Sequence, residues 1–164
     1  PAMDADLRQR LLDLLRSQPT AALATLHKDE PAISMVPVAL AVDGLLIHVS
    51  DLATHTRDMR EHPRVSLLLM GEAGELPKAR PRVSIAGDAA FIDKETPQYE
   101  AAREIYLARF AQASMTFGLA DFSLVRIAPL SARFVAGFAQ AHALGGPDFM
   151  ALLREAAARG TRGE

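Results

Sequence analysis

The sequence predicts an α+β fold, a mainly antiparallel β-barrel of about six strands with helices packed on it. Three observations carry this. Short apolar runs bounded by turn residues recur through the chain and dominate it. Neighbouring runs are joined by brief polar turns, of which Asp43-Gly44 is a hairpin signal, so the strands should pair antiparallel. A doubly wound parallel sheet needs a helix after nearly every strand, and that alternation is missing.

The chain opens on a helix, with Leu7, Leu11, Leu14 and Leu15 at helical spacing, Asp4 or Asp6 near its start and Pro19 ending it. Ala21 to Leu26 is the first strand, bounded by the polar turn Lys28-Asp29-Glu30-Pro31. Ala32 to Val42 is a second apolar run and Leu45 to Val49 a third strand. Ser50 to Pro63 is polar and helix-permissive, and it stops at Pro63 because the residue before a proline avoids the helical region. Arg64 to Met70 is a fourth strand, Gly71 to Pro81 a loop, and Arg82 to Ile92 a fifth strand with Gly87 as a bulge position. Thr96-Pro97 starts a helix that runs to about Phe110, a capping hydroxyl followed by proline in the first turn. Phe122 to Ile127 and Ala132 to Val135 are the last strands, broken by Pro129. Pro147 to Arg159 is a closing helix with Phe149, Leu152, Leu153 and Ala156 on one face. Residues 4–159 form one domain, and 160–164 read as a disordered tail.

Composition narrows the function classes. A chain of 164 residues with 49% hydrophobic and 23% charged residues suits one globular domain. A net charge of -2 argues against a general nucleic-acid binder, and 5% aromatics without tryptophan argue against a stacked-aromatic binding face. The absence of cysteine removes disulfides, thiolate zinc sites and cysteine nucleophiles. No basic start followed by an apolar stretch opens the chain, and no apolar run approaches the roughly 18 residues of a membrane span, so a cytoplasmic protein without a membrane partner is expected. No histidine pair has zinc-ligand spacing, no Gly-x-Ser-x-Gly elbow occurs, and no side chain stands out as a catalytic acid, base or nucleophile.

The segment that carries chemistry is Thr54-His55-Thr56-Arg57. A helix start offers free N–H groups and positive partial charge, and acidic residues are usually favoured there. Here Arg57 and His55 stand beside the hydroxyls of Ser50, Thr54 and Thr56, with Arg60 and Arg64 nearby, a set suited to a phosphate. The alternative is that Asp51 or Thr54 caps the helix, Arg57 lies in solvent, and Asp58 and Glu61 balance the charge. The segment alone leaves both open. The basic stretch Lys78-Ala79-Arg80-Pro81-Arg82 reads as a solvated loop or as one that closes over an acidic ligand. Strand alternation puts His48 in a pocket or in the core.

The order of segments resembles the FMN-binding split barrels related to pyridoxamine-phosphate oxidase, particularly their haem-utilisation subgroup. The residues that carry it are Pro31-Ala32-Ile33-Ser34-Met35-Val36-Pro37, Ser50 to Met59, Pro63-Arg64-Val65-Ser66-Leu67-Leu68 and Arg82 to Ala89. Asp121 to Ile127 and Ala136 to Ala141 complete it, so the match runs from about Leu11 to Leu144. The resemblance implies a split barrel, a homodimer and FMN sites at the subunit interface. Ser34, Met35 and Val36 would lie along the flavin, and Ser50, His55, Thr56 and Arg57 would hold its phosphate. Members often carry asparagine where this chain has Asp58, a negative charge beside that phosphate. The lack of tryptophan disfavours vitamin B6 oxidation itself. The expectation is therefore an FMN-binding flavoprotein, an oxidoreductase acting on a small organic molecule. The alternatives are a haem-binding or haem-degrading protein, or a non-catalytic flavin-binding protein. A haem site would draw on His142 as axial ligand, on Phe134, Phe138 and Leu144 as apolar wall, and on Arg133 for a propionate. The residues rank flavin above haem.

Overall fold

The structure, a computed structural model, describes residues 3–138 and 140–159, so the expected tail lies outside the described residues. Helix α1 (Ala5–Ser17) is capped by Asp4, whose carboxylate accepts the Leu7 N–H at 2.8 Å. Strands β1 (Thr20–His27) and β2 (Glu30–Pro37) form a hairpin whose two turn residues, Lys28 and Asp29, have φ of 51° and 65°. Both lie in the left-handed region, as the twist-matched two-residue hairpin turn requires. Then come β3 (Ala39–Ala41), β4 (Gly44–Ser50), α2 (Thr54–Glu61), β5 (Arg64–Met70), β6 (Arg82–Phe91) and α3 (Pro97–Arg109). A short α4 (Ser114–Phe117), β7 (Phe122–Val135), β8 (Ala141–Gly145) and α5 (Gly146–Arg159) complete the chain.

The strands pair antiparallel in the order β2-β1-β5-β6-β7-β4-β3, with β8 also on β7. The two ends of that order, β2 and β3, are consecutive in the chain and meet at Val38, so the sheet curls into a half-barrel. Strand β7 runs the length of β6 on one edge. On its other edge β4 pairs with Phe122 to Ile127 and β8 with Ser131 to Val135.

Alternation separates two faces. The inner face buries Leu23, Leu67, Ile85 and Phe134 against Leu11 and Leu15 of α1 and Phe149 and Leu153 of α5. A second apolar cluster joins Tyr99, Ala102 and Tyr106 of α3 to Ala39, Leu46 and Leu124. Among the described residues no helix is long and apolar enough to cross a membrane.

Four sequence expectations change. The run Ala32 to Val42 is two strands, because the chain must bend at Val38 to close the barrel, where its N–H turns to the Pro19 carbonyl at 2.9 Å. The β3–β4 turn is Val42-Asp43, one residue before the Asp-Gly pair, since Ala41 pairs with Gly44. The last two strands are one, β7, which continues through Pro129. Pro129 faces Gly87 where the register shifts, so its missing N–H falls at a bulge. Finally, Ala141 to Gly145 is a strand: its small residues have little intrinsic β preference, and the free edge of β7 supplies the pairing.

A Cβ added at Gly87 would lie 2.7 Å from both the Ala128 carbonyl oxygen and Ile127 Cγ2. Replacing Gly87 by alanine should therefore cost about 1–3 kcal/mol by forcing the strands apart. Urea denaturation measures this, and an unchanged midpoint would show that the bulge tolerates a side chain.

Candidate functional site

At the start of α2 the capping residue is Ala53, with no side-chain bond, so neither Asp51 nor Thr54 plays that part. Thr56 is buried and its hydroxyl donates to the Ser50 carbonyl at 2.6 Å. Ser50 Oγ donates to Asp121 at 3.2 Å and accepts the Leu52 N–H at 3.2 Å. Arg60 bonds Asp51 at 3.1 Å and lies 3.9 Å over the Phe91 ring, while Arg64 pairs with Asp88 at 2.7 Å. Arg57 is exposed and has no ion-pair partner among the described residues. His55 is half-buried, and burial pushes its imidazole below the ordinary range.

Asp58 does not stand beside this helix start. Its carboxylate is buried against β1, accepting from Thr25 Oγ1 at 3.0 Å and meeting His27 Nδ1 at 2.7 Å. Burial alone would push this carboxyl up, but the bonds from His27 and Thr25 hold it below the usual carboxylate range. On β2 the strand alternation parts the remaining expected residues. Ser34 and Val36 face inward beside Leu23 and Ala21, the Ser34 hydroxyl buried without a partner. Met35 faces outward and is 72% exposed.

The open outer face carries a second feature. The register aligns Met35, Ala22, Leu68, Ser84, Arg133 and Ala143 in one row across five neighbouring pairings. Where this row crosses β5, β6 and β7 it floors a groove of about 480 Å³. Leu68, Val135 and the 76% exposed Phe138 supply apolar surface, and Lys78, Arg82 and Arg133 supply charge. Among the described residues no carboxylate lines it. None of the three cations has an ion-pair partner among the described residues; Arg82 donates only to the Arg80 carbonyl at 3.1 Å.

Local bonds position the rim. Arg80 bonds the Gly71 carbonyl, and the Gly71 N–H bonds the Pro81 carbonyl at 2.8 Å, closing the loop that carries Lys78. The turn that carries Phe138 is closed by the Ala136 N–H to the Gln140 carbonyl at 3.0 Å and is anchored by Arg10 on the Ala136 carbonyl. The sequence pointed to the basic stretch and to Arg133 and Phe138 separately. What it did not show is that they share a face with Leu68.

His142 does not join them. It pairs with Phe134, which is fully buried, so it faces the opposite side of the sheet from Arg133. Phe134 and Leu144 likewise belong to the core side. The expected haem set of His142, Phe134, Leu144 and Arg133 is thus split between two faces by the pleat. His48 is buried under α4, stacked on Phe117 at 3.9 Å, with Nδ1 at 3.2 Å from Thr116 Oγ1. That hydroxyl already donates to the Ala113 carbonyl at 2.8 Å, so it accepts from His48 and fixes the proton on Nδ1. Burial, aided by Lys94, pushes the His48 imidazole down to about 4, which keeps it neutral.

Residues 7–136 match the family model described as pyridoxamine 5'-phosphate oxidase. The chain is 36% identical over 125 residues to HOZ, a chloroplastic heme oxygenase of Arabidopsis thaliana, covering 75% of this chain but only 37% of that protein. It is 26% identical over 155 residues to the heme oxygenase HutZ of Vibrio cholerae, covering 88% of this chain and 84% of that one. Among solved structures, a heme binding protein from Mycobacterium smegmatis superposes with a TM-score of 0.82 at 26% identity, over 92% of this chain and 62% of that chain. These relatives are named for haem, and they overturn the expectation of an FMN-dependent oxidoreductase acting on a small organic molecule.

The Asp58 network makes a stability prediction. Asp58→Ala leaves Thr25 and His27 without their acceptor and should cost about 1–3 kcal/mol at neutral pH, with Asp58→Asn losing less. Because the folded carboxyl titrates below its unfolded value, its ionic contribution is full above the usual carboxylate range and fades as pH falls through the lower, folded value. Denaturation of the wild type and Asp58→Asn across acidic pH tests this, and a stability gap that widened on acidification would contradict it.

Proposed function

The chain belongs to the pyridoxamine 5'-phosphate oxidase family, and from that premise we propose that it binds haem in the groove on the outer face of β5, β6 and β7. The observation that carries this reading is the meeting of an apolar floor with three cations that have no ion-pair partner, and with no carboxylate, among the described residues. Haem is a flat apolar macrocycle with two carboxylates at one edge, and the donor set suits both parts. Leu68, Val135 and Phe138 would cover the ring, where burial of apolar area contributes about 25 cal/mol per Å². Arg82, Arg133 and Lys78 would meet the carboxylates through charge-assisted bonds. The volume lies within the range of about 300–1,000 Å³ common to small-molecule sites.

The names of the relatives support oxidative haem breakdown as the activity of the bound state. Haem iron supplies the redox chemistry of such a reaction. The residues of this chain supply binding, a fixed ring edge and a partly water-shielded face. Because the chain spans little more than a third of HOZ, that activity is assigned to this domain as a proposal.

The same outer face supports a homodimer. Ile33 and Met35 are 76% and 72% exposed; Met35 lies in the row that leads to Leu68 at the groove, and Ile33 in the neighbouring row with Ala24 and Ser66. A second copy seated on β2 would cover Ile33, Met35 and the free edge of that strand, beside the groove.

Haemin titration followed at the Soret band tests the site. The wild type should saturate. Arg82→Ala with Arg133→Ala should weaken binding by roughly tenfold to a hundredfold, the worth of about 1.4–2.8 kcal/mol of charge-assisted bonding. His142→Ala should bind as the wild type does. Failure of the wild type to saturate, or equal affinity in the double variant, would overturn the assignment.

A further inference from the structure

Among the described residues, the groove's lining contains none of the kinds that customarily hold haem iron. Its polar side chains are those of Lys78, Arg82, Ser84, Arg133 and Gln140, with no histidine, cysteine, methionine or tyrosine among its lining residues. The chain has five histidines, and each is placed elsewhere. His142 faces the core side of β8 opposite Phe134. His48 is stacked on Phe117, with its Nδ1 proton given to Thr116. His27 is bound to Asp58, on the inner face where α2 packs. His55 lies on α2 and His62 caps its end, on that same side of β1.

We propose that this groove recognises carboxylated porphyrins as a class, through their carboxylates and ring face and not through iron. The inference rests on the haem reading of the same groove and deepens it by naming what is read. Each contact the groove offers is indifferent to the metal. The guanidinium groups of Arg82 and Arg133 and the ammonium of Lys78 meet carboxylates. Leu68, Val135 and Phe138 meet a hydrocarbon and aromatic surface that is the same with or without a central ion. A protein that selects haem by its iron must offer a donor atom to that iron, and this lining offers none of the usual ones.

The experiment compares three ligands on the full chain: haemin, iron-free protoporphyrin and the dimethyl ester of the iron-free porphyrin. Haemin is followed at the Soret band and the two iron-free compounds by their own fluorescence. Haemin and iron-free protoporphyrin should bind with dissociation constants within about threefold of each other, and the diester at least about tenfold more weakly. Arg82→Ala with Arg133→Ala should weaken haemin and iron-free protoporphyrin by the same factor. Haemin binding more than about tenfold tighter than the iron-free compound would overturn the proposal while leaving the haem site standing. A diester that binds as well as the free acid would overturn it from the other side. If neither haemin nor protoporphyrin saturates the protein, the haem reading itself fails, and this inference with it.

Discussion

Strand β7 has to serve three neighbours at once, and the rest of the molecule is arranged around how it does so. Its fourteen residues pair with β6 along one edge and with β4 and then β8 along the other. A straight strand of that length would carry its side chains out of register with a curved barrel. The bulge at Gly87 opposite Pro129 absorbs the mismatch: the chain without a side chain lies against the chain without an N–H. Upstream of that point β7 contributes Leu124, Val125 and Ile127 to the two apolar clusters. Downstream it contributes Phe134 to the core and Arg133 and Val135 to the groove.

The pleat then divides labour between faces. Inward residues of β1, β5, β6 and β7 are almost all apolar and covered by α1 and α5. On β1 the polar exceptions are Thr25 and His27, and both bond Asp58 of α2. A carboxylate this deeply buried is stable only with such partners, so α2 is pinned to β1 by chemistry as well as by Met59 in the core. The outer face has no such cover over β5 to β7, and that opening is what makes a groove possible there.

Charge follows the same division. The chain as a whole carries -2, yet among the described residues three cations line the groove and no carboxylate does. Several arginines elsewhere are tied down: Arg64 to Asp88, Arg126 to Asp43, Arg60 to Asp51, and Arg109 to the carbonyls of Arg16 and Gln18. A net charge averages over these pairs and conceals a local field of the opposite sign.

Much of this fold was legible before any coordinates. Helical spacing of leucines located α1, Thr96-Pro97 located the start of α3, and the lone glycine of β6 marked the bulge, because these signals act over a few residues. The residue order also carried the family and, through Arg133 and Phe138, part of a site. Three things were decided only by pairing at long range. Strand β8 exists because β7 has an open edge, not because Ala-His-Ala-Leu-Gly favours a strand. Asp58 turns away from the helix start because Thr25 and His27 wait on β1. His142 and Arg133 fall on opposite faces, while Leu68, Arg82 and Arg133 fall on one, because a side chain's face in a sheet is set by register, and register is fixed between strands and not within them.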